Sequence, residues 1–267
     1  MIGRRTAKKA QLAVSEAELM AMTHELDEAH REAMPLVRAE VARFARNLRD
    51  QQAHPGVDRR RFMIGIGALG AGMALAACGD HGTDNQSVPQ VSATPSVGYT
   101  GDLKTVAFGA ALENQLANAY QIALVAVGKG TLGKVPPAVG YFVQTTMFQH
   151  SEHAETWNTL LKSSGLSPIS GVPLSNDRET TDAFGAAKDS VSVAKLLLAL
   201  EDRAAATYLF AMGGISDHGG GAIGTAAIVA PVEAMHSAIL RFILGEYPVP
   251  DAFLTTTAAV SPATFTG

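Results

Sequence analysis

The chain has 267 residues and a formal net charge of -4; 47% of its residues are hydrophobic, 6% are aromatic and 17% are charged. This length allows one sizeable core with one or two extra segments, and a composition rich in Ala and Gly but poor in aromatic residues favours close-packed helices over a β-sandwich. Lys and Arg prevail before Cys78 and acidic residues after it, which argues against nucleic acid as a partner, and the single cysteine excludes an intrachain disulfide and a cysteine-based zinc knuckle.

Residues 1–57 form the first segment, in which apolar residues recur at steps of three to four between Ala10 and Asp50. This period predicts an amphipathic helix. Ser15 and Glu18 have the spacing of a capping box, and Pro35 is expected to kink or split the helix. The apolar positions are Leu12, Leu19, Met22, Leu26, Ala33, Val37, Val41, Phe44 and Leu48.

The same segment contains three side chains of metal-binding types, which we interpret as part of a solvated face rather than as ligands: His24, Glu28 and His30. Two interpretations of the segment stay open. It is either a cytoplasmic extension that is lost on processing, or a stretch upstream of a true translation start at Met34.

Residues 58–78, DRRRFMIGIGALGAGMALAAC, contain the arginine pair Arg59 and Arg60 and no charge from Met63 to Ala77. The uncharged stretch is too short for a membrane-spanning helix but fits the apolar region of a signal peptide. The arginine pair with a following aromatic residue resembles the twin-arginine export signal. The sequence Leu-Ala-Ala-Cys that ends at Cys78 resembles a lipobox, in which the cysteine is lipidated. The alternative is a buried apolar helix that ends in cysteine.

These resemblances imply that the twin-arginine machinery exports the folded protein and that lipidated Cys78 attaches it to the membrane. The protein would then lie on the outer face of the cytoplasmic membrane, in the cell envelope. Residues 79–101 are mostly Gly, Ser, Thr, Pro and Asn, and we predict that they form a flexible tether between this anchor and the next domain.

Residues 102–247 are predicted to form a domain of four long helices, the last of which Pro231 should bend. Fewer than ten residues join the first two helices and the last two, whereas residues 165–189 form a long connection. Short loops make antiparallel pairs, so the sequence predicts an all-α, four-helix bundle with one long crossover, followed by a tail at 248–267. The predicted helices are 103–127, 136–164, 190–212 and 222–245.

The first and third of these helices contain related stretches, ALENQLANAY and ALEDRAAATY. In each stretch a glutamate is followed by a tyrosine seven residues later, Glu113 by Tyr120 and Glu201 by Tyr208. Seven residues make two helical turns, so each tyrosine lies on the same face as its glutamate. The stretches therefore form an internal repeat in which acids recur at matching positions.

The second and fourth helices carry spaced pairs in turn: His150 with His153, and Glu233 with His236. Residues at i and i+3 share a helix face, so each pair can point towards one place. One glutamate on each of two helices and a spaced pair on each of the other two is the pattern of dimetal carboxylate sites in bundles. The predicted ligands are Glu113, His150, His153, Glu201, Glu233 and His236.

Other polar and aromatic residues nearby receive different interpretations. Glu152 and Glu155 lie roughly 100° to 200° around the helix from the histidine pair, so they are predicted to be solvated. Trp157 is expected in the core. For Tyr120 and Tyr208, a hydrogen bond to a ligating glutamate or a role in electron transfer competes with plain core packing.

Residues 103–247 resemble the ferritin-like superfamily, and residues 59–247 as a whole are similar to bacterial exported ferritin-like domain proteins. The resemblance implies that Glu113 and Glu201 are the single ligands of their helices. It also implies that Glu233 with His236, and likewise His153, belong to the Glu-x-x-His motifs. His150 departs from the family pattern, which has glutamate at this position.

A pair of iron ions is the cofactor that the resemblance implies. Oxygen and imidazole ligands also suit manganese or zinc, and the histidine at position 150 leaves room for a single metal or for a degenerate site with none. We consider two functions: metal binding in the bundle core, with activity of the dimetal oxidase or ferroxidase type, and a non-catalytic envelope module that binds or scaffolds other molecules. A homodimer is the assembly that we consider.

Overall fold

The computed structural model describes residues 15–53, 98–215 and 220–267. Within these ranges the chain is helical, and its β-structure is limited to one isolated bridge between Leu174 and Phe265. The predicted all-α class is therefore confirmed. The α-helices are α1 (Glu16–Ala53), α2 (Asp102–Gly128), α3 (Pro137–Ser163), α4 (Asp177–Ala186), α5 (Ser190–Gly214) and α6 (Gly220–Leu244), followed by a 3-10 turn at Pro262–Thr264.

The predicted export segment lies outside the described residues. This applies to Arg59, Arg60 and Cys78, and to the tether as far as residue 97. The twin-arginine, lipobox and tether assignments therefore stay predictions.

Local signals account for the ends of the bundle helices. The side chain of Asp189 accepts a hydrogen bond from the backbone N–H of Ser192 at 2.8 Å and caps α5. Pro137 begins α3, where its missing N–H costs no helical hydrogen bond. Gly165 and Gly245 follow α3 and α6 with φ of 75°, in the left-handed region that favours glycine. Because these signals are local, the four predicted helices agree with the observed ones to within two residues at each end.

The four long helices of the domain pack as two pairs, α2 with α3 and α5 with α6. The short helix α4 lies in the connection between the pairs and contacts α2 and α5. This arrangement confirms the predicted bundle with a long crossover. The largest apolar side chains that are fully buried in it include Leu116, Phe142, Leu160, Leu161, Leu197, Leu240 and Ile243.

The C-terminal tail folds back onto the long connection. The backbone N–H of Ser175 donates to the carbonyl of Thr264 at 2.8 Å, and that of Thr266 donates to the carbonyl of Pro173 at 2.9 Å. Phe265 is buried beside them. These contacts hold the tail against the connection.

Helix α1 is a fifth long helix, which packs against α3 and α6. The backbone N–H of Glu18 donates to Oγ of Ser15 at 3.4 Å, as one half of the predicted capping box. The helix continues through Pro35, which is exposed, so the predicted split does not occur. Its buried apolar stripe consists of Leu19, Leu26, Met34, Val37, Val41 and Phe44.

Helix α6 is the helix of the described chain that is long and apolar enough to cross a membrane, with a mean hydropathy of 1.5 between Gly221 and Leu244. It packs against α5 and α1, and half of its most apolar window is buried inside the protein. It also carries the fully buried Glu233 and His236, and it continues through Pro231. These features fit the core helix of a bundle.

Candidate metal centre

The six predicted ligands lie together in the middle of the bundle, and all six are fully buried. They form two groups in which the ligand atoms of the members lie within 4.8 Å of one another. Both groups contain His150 and Glu233. The first group is Glu113, His150, His153 and Glu233, and the second is His150, Glu201, Glu233 and His236.

His150 lies between the single glutamates of α2 and α5. Its Nδ1 is 2.8 Å from Oε2 of Glu113, and its Nε2 is 3.0 Å from Oε1 of Glu201. The two nitrogens of one imidazole therefore face different groups. With histidine here, the cluster holds three carboxylates rather than four, which reduces the negative charge that must be neutralised away from water.

Glu233 is the shared carboxylate. Its Oε1 is 3.1 Å from Nδ1 of His153, and its Oε2 is 3.4 Å from Nδ1 of His236. Neither oxygen has a hydrogen bond. A buried carboxylate in this state is costly unless a cation neutralises it. The same lack of a hydrogen bond applies to Glu201 Oε2, His153 Nδ1 and His236 Nδ1.

The two repeat tyrosines bind the glutamates crosswise. The hydroxyl of Tyr120 on α2 donates to Glu201 on α5, and that of Tyr208 on α5 donates to Glu113 on α2. Burial and then the neighbouring carboxylate raise the pKa of each tyrosine, so both stay protonated donors. Trp157 lies in the core as predicted and donates its Nε1–H to the Tyr208 hydroxyl at 3.0 Å.

Gln149 is a site residue that the sequence analysis missed. It is buried, and its Oε1 lies 2.8 Å from Nε2 of His236. An amide oxygen accepts hydrogen bonds, so it selects the tautomer of His236 that carries its proton on Nε2 and leaves Nδ1 facing the carboxylates. Its position four residues before His153, on the same face of α3, is the available signal.

His30 was predicted to lie on a solvated face, and this prediction is wrong. The residue is 3% exposed, and its Nε2 lies 3.2 Å from Nε2 of His153. Burial and the nearby His153 lower the pKa of His30 to about 3, so its imidazole is neutral. The other two residues of that prediction, His24 and Glu28, are exposed as expected.

Glu152 and Glu155 confirm their predicted exposure, because their side chains are 52% and 64% accessible. Glu152 nevertheless reaches the edge of the site, since its Oε2 lies 3.5 Å from Nδ1 of His30. Glu155 instead pairs with Lys162 at 2.9 Å. The two acids thus share one exposed face of α3, but only Glu152 touches a residue that contacts the cluster.

Acids and histidines in the cluster shift each other's pKa in opposite directions. Burial alone would raise the pKa of Glu113, but His153 and His150 lower it to about 2. Burial alone would lower the pKa of His153, but Glu113 and Glu233 raise it to about 9. The same opposition holds for the other members. Against the effect of burial, neighbouring histidines lower the pKa of Glu201, and neighbouring carboxylates raise the pKa of His150 and His236.

The metal-free protein should consequently be most stable near pH 6.5. The raised histidine pKa values stabilise the fold fully below the unfolded value of about 6.5, and this contribution is lost as the pH rises through about 9. Below pH 6.5 the lowered pKa of His30 removes stability, because the unfolded chain protonates this histidine first. Below about pH 4.5 the lowered pKa values of Glu113 and Glu201 remove more, because their carboxylates take up protons in the unfolded chain before they do so in the folded protein. Calorimetry in EDTA from pH 4 to 9.5 measures this profile.

Saturating metal provides the control for that profile. Metal ions need deprotonated histidine as a ligand, so they should displace the extra protons of the cluster histidines. The decline in stability above pH 6.5 should then disappear. A melting temperature of the metal-free protein that stays constant or increases from pH 6.5 to 9 would contradict the proposed charge balance.

The donor set fits divalent metal ions. It offers three carboxylates and three imidazoles, and five of the buried atoms that face the centre lack a hydrogen bond. Carboxylate and imidazole ligands without cysteine suit iron, manganese and zinc. With neutral histidines the three carboxylates would carry three negative charges, which two divalent ions can neutralise.

Residues 101–246 match the family model described as the ferritin-like domain, and this match covers more than half of the chain. The chain belongs to this family. No curated protein and no solved structure gives a match. The ferritin-like domain contains all six cluster residues, whereas α1 and its His30 precede it.

Proposed function

We propose that the protein binds two metal ions in the core of its ferritin-like bundle. The observation that carries this proposal is the pair of overlapping, fully buried ligand groups that share His150 and Glu233. Each group would hold one ion, and the shared side chains would lie between the two. The buried carboxylate oxygens without hydrogen bonds, both of Glu233 and Oε2 of Glu201, support this assignment, because a bound cation would offset their desolvation.

Iron is the metal that we propose first, and manganese or zinc is the alternative. When bound, a pair of iron ions supplies redox chemistry with O2 or peroxide, so the activity would be of the dimetal oxidase or ferroxidase type. The chain itself holds the ligands in place. Tyr120 and Tyr208 each occupy one oxygen of a glutamate, which limits how Glu201 and Glu113 can rotate. The surrounding apolar helices exclude water.

Metal content tests this proposal. The purified full-length chain would be loaded separately with Fe(II), Mn(II) and Zn(II), freed of excess ions and analysed by mass spectrometry of the metal. We expect about two ions per chain for at least one of these metals. A content well below one ion per chain for all three would refute the proposal.

A second function is a non-catalytic envelope module with a degenerate site. It is favoured by the pKa directions, because three protonated histidines would balance three carboxylates without any metal. Under this alternative, added metal would leave the melting temperature unchanged, whereas a metal that binds the native state must raise it.

We further propose that the protein is exported by the twin-arginine machinery and anchored by lipidated Cys78 to the outer face of the cytoplasmic membrane. The order of the arginine pair, the uncharged stretch and the cysteine supports this proposal. The variant Cys78→Ala should move from the membrane to the soluble envelope fraction, while Arg59→Lys with Arg60→Lys should stay in the cytoplasm. Membrane retention of the cysteine variant would contradict the anchor.

A further inference from the structure

Two histidines of the cluster turn their Nε2 atoms away from the carboxylates, and each of these atoms meets a buried side chain. His236 meets Oε1 of Gln149 at 2.8 Å, and His153 meets Nε2 of His30 at 3.2 Å. Gln149 lies within the ferritin-like match, but His30 comes from α1, which precedes it. The two contacts are equivalent in position, because both leave Nδ1 of the cluster histidine directed at the acids.

The second nitrogen of His30 determines the direction of its hydrogen bond. Nδ1 of His30 lies 3.5 Å from Oε2 of Glu152, and a carboxylate accepts hydrogen bonds. The tautomer of His30 that this contact favours carries its proton on Nδ1 and presents a lone pair on Nε2. That lone pair can accept the Nε2–H of His153, whose Nδ1 is then free to bind a cation beside Glu113 and Glu233.

We propose that His30 is a positioning residue of the metal centre, so that α1 is a part of the site. This inference rests on the proposed metal binding and deepens it. A histidine that binds a metal commonly donates its other N–H to a neighbour, which fixes the ring and its tautomer. His30 is such a neighbour for His153, and its own contact with Glu152 links the buried cluster to an exposed acid.

The packing of α1 against α6 is specific enough to keep the imidazole of His30 opposite His153. Gly221 and Gly224 of α6 face α1. A Cβ added at Gly221 would lie 2.5 Å from the backbone oxygen of Glu40, and one added at Gly224 would lie 2.5 Å from Oε2 of the same residue. Real Cβ atoms do not approach other atoms so closely. The backbone oxygen opposite Gly221 cannot give way, whereas the end of the Glu40 side chain opposite Gly224 can, so Gly221 is the position that matches the surface of α1. The helix therefore packs in one defined register, with His30 opposite His153.

The experiment compares three variants of the full-length chain, with Co(II) as the only added metal. His30→Leu keeps the volume but removes the acceptor, His30→Gln restores an amide acceptor, and Val41→Ala weakens α1 packing away from the site. The affinity is measured by competition with a chelator, and the visible absorption of bound Co(II) reports the ligand geometry.

We expect His30→Leu to weaken Co(II) binding about 10- to 100-fold and to change the absorption bands. His30→Gln should recover most of the affinity, and Val41→Ala should lower the melting temperature without changing the affinity or the spectrum. The inference is overturned if the wild type binds Co(II) and His30→Leu binds equally well, or if Val41→Ala loses as much affinity as His30→Leu. A wild type that binds no Co(II) would overturn the metal site itself, so the two failures are distinguishable.

Discussion

Replacement of Glu233 with glutamine is expected to weaken metal binding about 100-fold while preserving the bundle. Glu233 is one of two residues that belong to both ligand groups, and its carboxylate lies within 3.4 Å of His153 and His236. Glutamine keeps the size and shape of the side chain, so little cavity or overpacking results. The change removes one negative charge from both groups, so both ions should bind more weakly and be lost when excess metal is removed.

The expected size of this effect follows from linkage. A metal at about 1,000 times its dissociation constant stabilises the native state by about 4 kcal/mol. For a chain of this size that corresponds to a rise in melting temperature of roughly 10 °C. If Glu233→Gln weakens binding about 100-fold, the same metal concentration gives about 1.4 kcal/mol and a rise of about 4 °C.

Glu155→Gln is the matched control, because this acid lies on an exposed face of α3 and pairs with Lys162. It should keep the full metal content and the full thermal shift, since exposed ion pairs contribute little. Equal metal content in Glu233→Gln and Glu155→Gln would show that Glu233 does not bind the ions.

Much of the bundle and the clustering of its six buried acids and histidines can be predicted from sequence because both depend on helical periodicity. Glu113 and Glu201 were found through the repeat, and the spacing of Glu233 and His236 placed both on one helix face. Such arguments need only the position of a residue on its own helix. They succeed because the four bundle helices have clear ends and short connections within each pair.

The contribution of α1 illustrates what periodicity leaves undecided. An amphipathic stripe shows that a face is buried but not which helix covers it. His30 lies four residues after Leu26 and seven before Val37, so its place on the apolar stripe was visible. The sequence predicts a solvated face here because it identifies no partner for this stripe. The partner surface on α3 and α6 could be identified only from the tertiary packing.

Gly221→Ala should detach or displace α1. A Cβ at this position would lie 2.5 Å from the backbone oxygen of Glu40 and closer still to Cβ of Phe44. A backbone oxygen cannot move without moving the helix, so the methyl group should cost about 1 to 3 kcal/mol by overpacking. Gly140→Ala is the control, because a Cβ there meets nothing within 4 Å on α3 and should stabilise the helix by roughly 0.5 to 1 kcal/mol. Calorimetry and hydrogen exchange of α1 distinguish the two outcomes.

The Gly221→Ala variant also indicates what cleavage before Cys78 would do to the metal centre. Cleavage before Cys78 on export would separate α1 from the bundle, so the contact between His30 and His153 belongs to the uncleaved chain. If His30 positions His153, Gly221→Ala should raise α1 hydrogen exchange and weaken Co(II) binding together, and cleavage should weaken Co(II) binding as well, since Nε2 of His153 loses its partner in each case. Weakened α1 protection with unchanged Co(II) affinity would instead show that α1 packs on the centre without supporting it.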